Sequence, residues 1–308
     1  MKISVVIPVF NAEARIKRAL LSVLEQKEVD DIILVDDGSS DNSFPIIQEL
    51  SETENRIKIH THKNRMNKGP AATRNLGIHM AKNEYVAFLD ADDYYLSNRF
   101  KESVTILTAD ASLDGVYCKC GVVREWTEGN AIQSKIEENI IGFNQKVPPK
   151  DLFFSFSPIG DKGRFNTNSL LVRKSKLLEA KCYDENLRIG EDVMLYLKLC
   201  IIGRLAGVNK VLCYRTKHGG NLTAQAQENY NEYLYELFRQ LVFWSHPDKK
   251  PKHQLAFLNQ LIHFTEREDK FEVIILYLKF ILKNIGFYLA NSSLVHLKLL
   301  ILLLVKRE

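Results

Sequence analysis

Five carboxylates of this 308-residue chain fall in two short runs, Asp36-Asp37 and Asp90-Ala91-Asp92-Asp93. Carboxylates brought together repel one another unless a cation or hydrogen-bond donors stand among them. Turn capping accounts for Ser39 and Asp41, types that favour N-caps and turns. It does not account for Asp90 and Asp92, which follow an apolar run. A further acidic pair, Glu191-Asp192, opens a stretch with helical spacing, where acids are favoured by the helix dipole alone. Other chemistries leave no trace. No G-x-G-x-x-G follows the first strand and no G-x-x-x-x-G-K-[ST] occurs, which counts against a dinucleotide-dependent dehydrogenase and a P-loop enzyme. H-E-x-x-H and G-x-S-x-G are absent too.

The elements that must position these acids alternate. Ile3–Val9 is a short β-branched run that reads as a buried strand. Ala14–Leu24 sets Ile16, Ala19, Leu20, Val23 and Leu24 on one helical face. Asp31–Val35 is a second strand, and Asp41–Leu50 a helix with Pro45 in its early turns. Arg56–Thr61 is a third strand, Ala71–Ala81 a helix and Tyr85–Leu89 a fourth strand. Such alternation predicts an α/β fold, a mostly parallel sheet covered by helices. Ligands of such sheets bind beyond the carboxyl ends of the strands. The first strand ends at Pro8-Val9-Phe10-Asn11, the second at Asp36-Asp37 and the fourth at Asp90-Ala91-Asp92-Asp93, so three strands deliver polar or acidic groups to one edge. Further on, Gly115–Arg124 and Asn168–Val172 read as strands, Glu191–Ile202 as a helix and Leu212–Arg215 as a short last strand. Residues 125–150 are polar and read as a loop or lid. From Leu222 the spacing of Tyr230, Tyr233, Leu234, Leu237, Phe238, Leu241 and Val242 is helical.

Composition narrows the partners. Hydrophobic residues make up 45% and charged residues 26%, a folded rather than disordered balance. The net charge of +4 does not suggest a nucleic-acid binder. It is unevenly placed: Lys279, Lys283, Lys298, Lys306 and Arg307 against Glu308 leave residues 1–278 formally neutral. Cys118, Cys120, Cys182, Cys200 and Cys213 are too few and uneven for a disulfide framework, and the C-x-C has no nearby ligand set for a metal. No secretory signal opens the chain and no apolar run reaches the ~18 residues of a spanning helix. A cytoplasmic location is therefore expected.

Six pieces together carry a resemblance: SVVIPVFN at 4–11, LVDDGSSD at 34–41, NKGPAATRNLGI at 67–78, FLDADD at 88–93, GED at 190–192 and YRTKHGGNLT at 214–223. In this order they resemble the nucleotide-sugar glycosyltransferases of glycosyltransferase family 2, with a GT-A fold. A lone D-x-D would say little; six ordered pieces over about two-thirds of the chain are specific. One departure is Thr73, where the family more often has alanine before Arg74-Asn75. The match does not extend to the helical C-terminal third. The implied organisation is a GT-A domain over residues 1–221, with a nucleotide-sugar half (1–115) and an acceptor half (116–221), followed by a helical region at 222–308.

The resemblance implies roles. Asp90-Ala91-Asp92 is similar to the D-x-D motif that holds Mn²⁺ or Mg²⁺, ions that prefer oxygen ligands. Asp92 is the expected direct ligand, with Asp90 on the ribose or the metal and Asp93 secondary or structural. Asp37 resembles the acid that accepts the uracil N–H, with Asp36 as second candidate. Pro8 and Phe10 would line the base pocket, although Phe10 could equally be core. Arg74 would face the nucleotide or diphosphate. Asp192 is the expected base that takes a proton from the acceptor hydroxyl in an inverting transfer, with Glu191 orienting it or binding the acceptor. His218 matches a histidine that completes the metal site in part of the family; solvated loop histidine is the plainer alternative.

The implied function is metal-dependent transfer from a UDP-sugar to a glycan or lipid-linked acceptor in cell-surface polysaccharide synthesis. A catalytically silent sugar-nucleotide or glycan-binding module on the same scaffold is the alternative. A sugar-1-phosphate nucleotidyltransferase would want a Gly-rich basic loop, and PVFNAEA lacks one. The tail segments VIILYLKFILK (273–283) and LVHLKLLILLLVKR (294–307) are apolar and basic. They suit either peripheral contact with the cytoplasmic face of an anionic inner membrane or packing on themselves, including homodimerisation.

Overall fold

A computed structural model describes residues 1–128, 131–187, 189–219 and 230–264, with isolated positions between 273 and 280. The chain divides into two units, Met1–Gln227 and Glu228–Glu308. The boundary expected near 222 and most of the apolar basic tail lie outside the described residues.

The first unit opens with β1 (Ile3–Val9), α1 (Ile16–Leu24), β2 (Val29–Asp36), α2 (Ser43–Thr53), β3 (Ile57–Thr61), α3 (Gly69–Met80) and β4 (Tyr85–Phe88). The sequence expectation matches these seven within a few residues. β3, β2, β1 and β4 lie side by side and parallel. β1 is buried along nearly its whole length because helices cover the sheet, as its unbroken β-branched run demands. α3 packs on it closely, and a side chain at Gly77 would meet Val6.

The second half continues with β5 (Tyr94–Tyr95), α4 (Lys101–Ala109), β6 (Gly115–Glu128), β7 (Ala131–Ile141), α5 (Leu152–Ser155), β8 (Leu170–Arg173), α6 (Lys174–Glu179), α7 (Glu191–Ile202) and β9 (Leu205–Lys217). The sheet runs β3-β2-β1-β4-β8-β6-β9-β5, with β7 paired to β6. β8 is antiparallel to both neighbours, so the parallel register breaks there. The result is one mixed, mostly parallel sheet flanked by helices, the GT-A arrangement.

Two expectations are corrected. Residues 125–150 are not simply a loop or lid: β6 runs on to Glu128 and β7 returns antiparallel beside it. The polar look of the segment reflects a strand whose residues are nearly all exposed, so no buried face imposes an apolar period. The last strand covers thirteen residues rather than the four of Leu212–Arg215, because β9 pairs β6 in parallel from Leu205 onward. The five cysteines are free and buried, as ordinary core residues.

The second unit, where described, holds α8 (Tyr230–Phe243) and α9 (Pro251–Phe264). The rings of Phe238 and Phe257 meet at 6.4 Å. Lys249 closes the end of α8 by donating to the Leu241 and Val242 carbonyls at 3.1 and 2.8 Å.

Candidate active site

The parallel register brings the ends of β1, β2 and β4 to one edge, with Val9 beside Asp36 and Val6 beside Phe88. The five carboxylates do collect there, and each has a donor. Asp36 is fully buried and takes Arg65 Nη2 at 3.1 Å and the Ser39 N–H at 3.3 Å. Asp37, also buried, accepts the backbone N–H groups of Lys68 and Gly69 at 2.7 and 2.9 Å, and so holds the start of α3. Asp93 is buried between the Thr216 N–H at 2.6 Å and the Asn168 side-chain amide. Burial, with Asp92 and Asp90 beside it, pushes its carboxyl well above the ordinary range. Only the Asp90 and Asp92 carboxylates keep substantial exposure, 32% and 26%.

Those two meet different partners. Asp92 Oδ2 lies 2.9 Å from His218 Nε2, which joins the β4 turn to the end of β9. Asp90 Oδ1 accepts Arg74 Nη2 at 2.7 Å. Arg74 is buried on α3, over the Tyr183 ring, and its Nη1 reaches Glu191 Oε1 at 3.3 Å. Burial works against its charge, but Asp90, Tyr183 and Glu191 outweigh burial, so the guanidinium is held cationic. One arginine therefore bridges the β4 turn and the first turn of α7, two places over a hundred residues apart in sequence.

α7 starts at Gly190, whose positive φ of 82° suits glycine and lets the chain turn sharply into Glu191-Asp192. Burial, then the neighbouring Asp192 charge, pushes the Glu191 carboxyl up to about 7, against the pull of Arg74. Asp192 Oδ1 accepts the Val193 N–H at 2.7 Å. At the far side, Phe10 is 50% exposed and Pro8 half-buried. The core alternative for Phe10 is thereby excluded; its ring stands at the strand edge. Ala91 is buried within the turn.

Residues that motif reading did not single out hold the site in shape. Asn168 donates to Asp93 and accepts the Asp90 N–H at 3.0 Å, spanning the acidic turn. Arg99, fully buried, donates to the Ser169 carbonyl at 2.7 Å and fixes the short turn carrying Asn168. Arg18 on α1 donates to the Asp92 carbonyl at 2.8 Å, Thr216 Oγ1 at 3.0 Å and Glu125 Oε1 at 2.5 Å. Each belongs to a different element, so no local spacing marks it. Asn75, within the NKGPAATRNLGI piece, accepts the Tyr183 N–H and donates to the Tyr183 carbonyl, both at 2.9 Å. It thereby clips α3 to the segment leading into α7.

The donor set suits a divalent cation. Asp92 offers a carboxylate oxygen and His218 an imidazole nitrogen, 2.9 Å apart, while Asp90 on the same turn is bound to Arg74. Oxygen with one nitrogen is an acceptable set for Mn²⁺, whereas Mg²⁺ favours oxygen alone.

A model of the family described as glycosyl transferase family 2 matches residues 4–162, half of the chain, and the protein belongs to that family. Among relatives, an uncharacterised glycosyltransferase of Haemophilus influenzae is 34% identical over 134 residues, 42% of this chain and 51% of that one. The GalNAc(5)-diNAcBac-PP-undecaprenol beta-1,3-glucosyltransferase of Campylobacter jejuni is 29% identical over 199 residues, 64% of this chain and 59% of that one. The matched segments thus span roughly half of these relatives' lengths. A crystal structure of S. aureus TarS 1–349 in complex with UDP-GlcNAc superposes with a TM-score of 0.63 at 21% identity, covering 91% of this chain and 81% of that one. That likeness concerns the fold.

Proposed function

We propose that the chain is a metal-dependent inverting glycosyltransferase that moves a sugar from a nucleoside-diphosphate donor, most simply a UDP-sugar, to a hydroxyl of a glycan or lipid-linked acceptor. The observation that carries this is the Arg74 bridge, which sets Asp90 and Glu191 within reach of one guanidinium. A diphosphate edge and an acidic helix start are thereby parts of a single site. The UDP-GlcNAc bound to TarS and the undecaprenol-linked substrate in the name of the Campylobacter relative support the donor and acceptor classes.

Asp92 and His218 would hold the cation, with Asp90 beside them. When bound, it would neutralise the charge that grows on the departing diphosphate. The remaining steps fall to the chain. Phe10 and Pro8 would flank the base, and Asp37 would take its N–H on an oxygen that already serves the start of α3. Arg74 would exchange part of its contact with Asp90 for diphosphate oxygens. Asp192 would accept the acceptor hydroxyl's proton as that oxygen attacks the anomeric carbon from the face opposite the diphosphate. Glu191, partly protonated near neutral pH, would spare Asp192 a second full negative charge next to it.

A thermal-shift screen of nucleotide sugars with and without Mn²⁺ tests the reading, because a ligand that binds only the folded state raises Tm. UDP-sugars should stabilise the protein chiefly with Mn²⁺ present, and Asp92→Ala should abolish the metal-dependent part. A screen in which no nucleotide sugar shifts Tm under either condition would sink it.

A further inference from the structure

A cavity of about 520 Å³ lies beside α3, against the turn that follows α6. Its size is that of a small-molecule site. Ala72, Asn75, Leu76 and His79 line it from one helical face, at the spacing i, i+3, i+4, i+7. Basic residue types reach it from three places: His62 and Lys68 between β3 and α3, His79 in the last turn of α3, and Lys181 after α6. Lys68 and Lys181 spend their backbone N–H groups on Asp37 and on the Leu178 carbonyl. Among the described residues neither ammonium has an acceptor. The one acid on the lining, Glu185, already accepts Asn75 Nδ2 at 2.9 Å. Asp90, Asp92, Glu191 and Asp192 are not part of the lining.

The place of Lys181 is unusual for its type. α6 ends with the Cys182 N–H on the Leu177 carbonyl at 2.8 Å and the Lys181 N–H on the Leu178 carbonyl at 3.0 Å. That closure sets residue 181 in the left-handed region, at φ 65°, where glycine is the common choice. Lysine there, followed by Cys182 at φ 54°, carries strain that glycine would avoid. Asn75 holds the same turn on α3 through its two bonds to the Tyr183 backbone. We propose that the cavity is a binding site for a small organic phosphate. Its dianion would sit among the ammoniums of Lys68 and Lys181 and the imidazoles of His62 and His79. Its less polar body would lie on Leu76 and on Leu178, which is 42% exposed. A carboxylate needs one cation, whereas two free ammoniums with two imidazoles match the near-double charge and three oxygens of a phosphate monoester. His62 separates this site from the acid assigned to the donor base: its Nε2 lies 3.0 Å from Thr73 Oγ1 and 3.6 Å from Asp37 Oδ1. The site calls for neither metal nor nucleotide, so it stands whether or not the chain transfers a sugar.

Titration calorimetry of the full chain with glucose 6-phosphate, without Mn²⁺ or nucleotide, reads the site. Wild type should bind the phosphate at one site per chain and should not bind glucose. Lys181→Glu should weaken binding by roughly tenfold or more, because it reverses a charge at the ligand. Glu185→Gln should tighten it, since the amide oxygen still accepts Asn75 and the negative charge is gone. Lys101→Glu makes the same charge change on α4, off the lining, and should leave the affinity as in wild type. Lys181→Gly separates binding from folding: it should raise the Tm of the ligand-free protein by relieving the left-handed strain, yet weaken binding. Saturating UDP with Mn²⁺ should leave the phosphate bound. No binding by wild type would overturn the proposal, as would an affinity indifferent to the Lys181 and Glu185 variants or equally sensitive to Lys101→Glu. Displacement by UDP would make the cavity part of the donor site, and binding only to phosphatidate vesicles would make its ligand a lipid surface; either result contradicts the assignment.

Discussion

Asp36, Asp37 and Asp93 are buried acids whose oxygens take donors from inside the protein, whereas Asp90 and Asp92 stay partly exposed beside Arg74 and His218. Sequence places all five at one edge but cannot rank them, because the donors that bury three of them come from Arg65, Lys68-Gly69, Asn168 and Thr216. Those residues become neighbours only once the sheet forms. Glu191 gives a prediction at this scale. Its folded pKa, about 7, lies above the ordinary 4.5, so between these values the folded state binds more protons than the unfolded chain. Stability contributed by the protonated form is complete at low pH and is lost as pH rises towards and through 7. The loss is on the order of 3 kcal/mol. Urea denaturation of wild type should show this fall between pH 5 and 8, on the scale of that loss. In Glu191→Gln that share of the fall should vanish, leaving the variant relatively more stable at pH 8. Equal pH slopes for the two proteins would contradict it.

At the scale of elements, the first half of the fold was readable because each buried strand and amphipathic helix carries its own period. The second half was not. β5 is two residues long and α4 lies on a weakly patterned stretch, so neither announces itself. β7 is exposed nearly throughout, and a strand with no buried face shows no alternation that burial would enforce. Helical spacing marks Glu191–Ile202 from end to end, yet nothing local marks its link to Arg74, since that contact is tertiary. The packing of α3 on β1 carries its own test. An alanine methyl at Gly77 would overlap the Val6 side chain, which is fully buried. Gly77→Ala should cost roughly 1–3 kcal/mol as overpacking. Adding Val6→Ala should recover part of that loss, although Val6→Ala alone is destabilising. Additive losses in the double variant, measured by denaturation, would show that the two side chains do not compete.

For the molecule as a whole, the charge and the chemistry separate. Residues 1–278 are formally neutral and hold an acidic edge; the surplus of +4 belongs to the last thirty residues. The family covers the region with the acidic edge, and the described helices α8 and α9 lie beyond its match at 4–162. The proposed function divides two tasks within the first unit: it gives Asp92 and His218 the diphosphate side and Asp192, at the start of α7, the acceptor side, with Arg74 bound to Asp90 and Glu191. A catalytically silent binding module on this scaffold would need the first task only. The most direct test is therefore UDP release from a UDP-sugar that stabilises the wild-type protein, followed in wild type, Asp92→Ala and Asp192→Ala with Mn²⁺. Proton removal by a positioned carboxylate contributes roughly 10²–10⁴-fold. Asp192→Ala should lose turnover on that scale while keeping the Mn²⁺-dependent Tm shift, and Asp92→Ala should lose both. Turnover in Asp192→Ala equal to wild type would contradict the assignment of the base, and wild type that binds donor and metal without ever releasing UDP would contradict the enzyme itself.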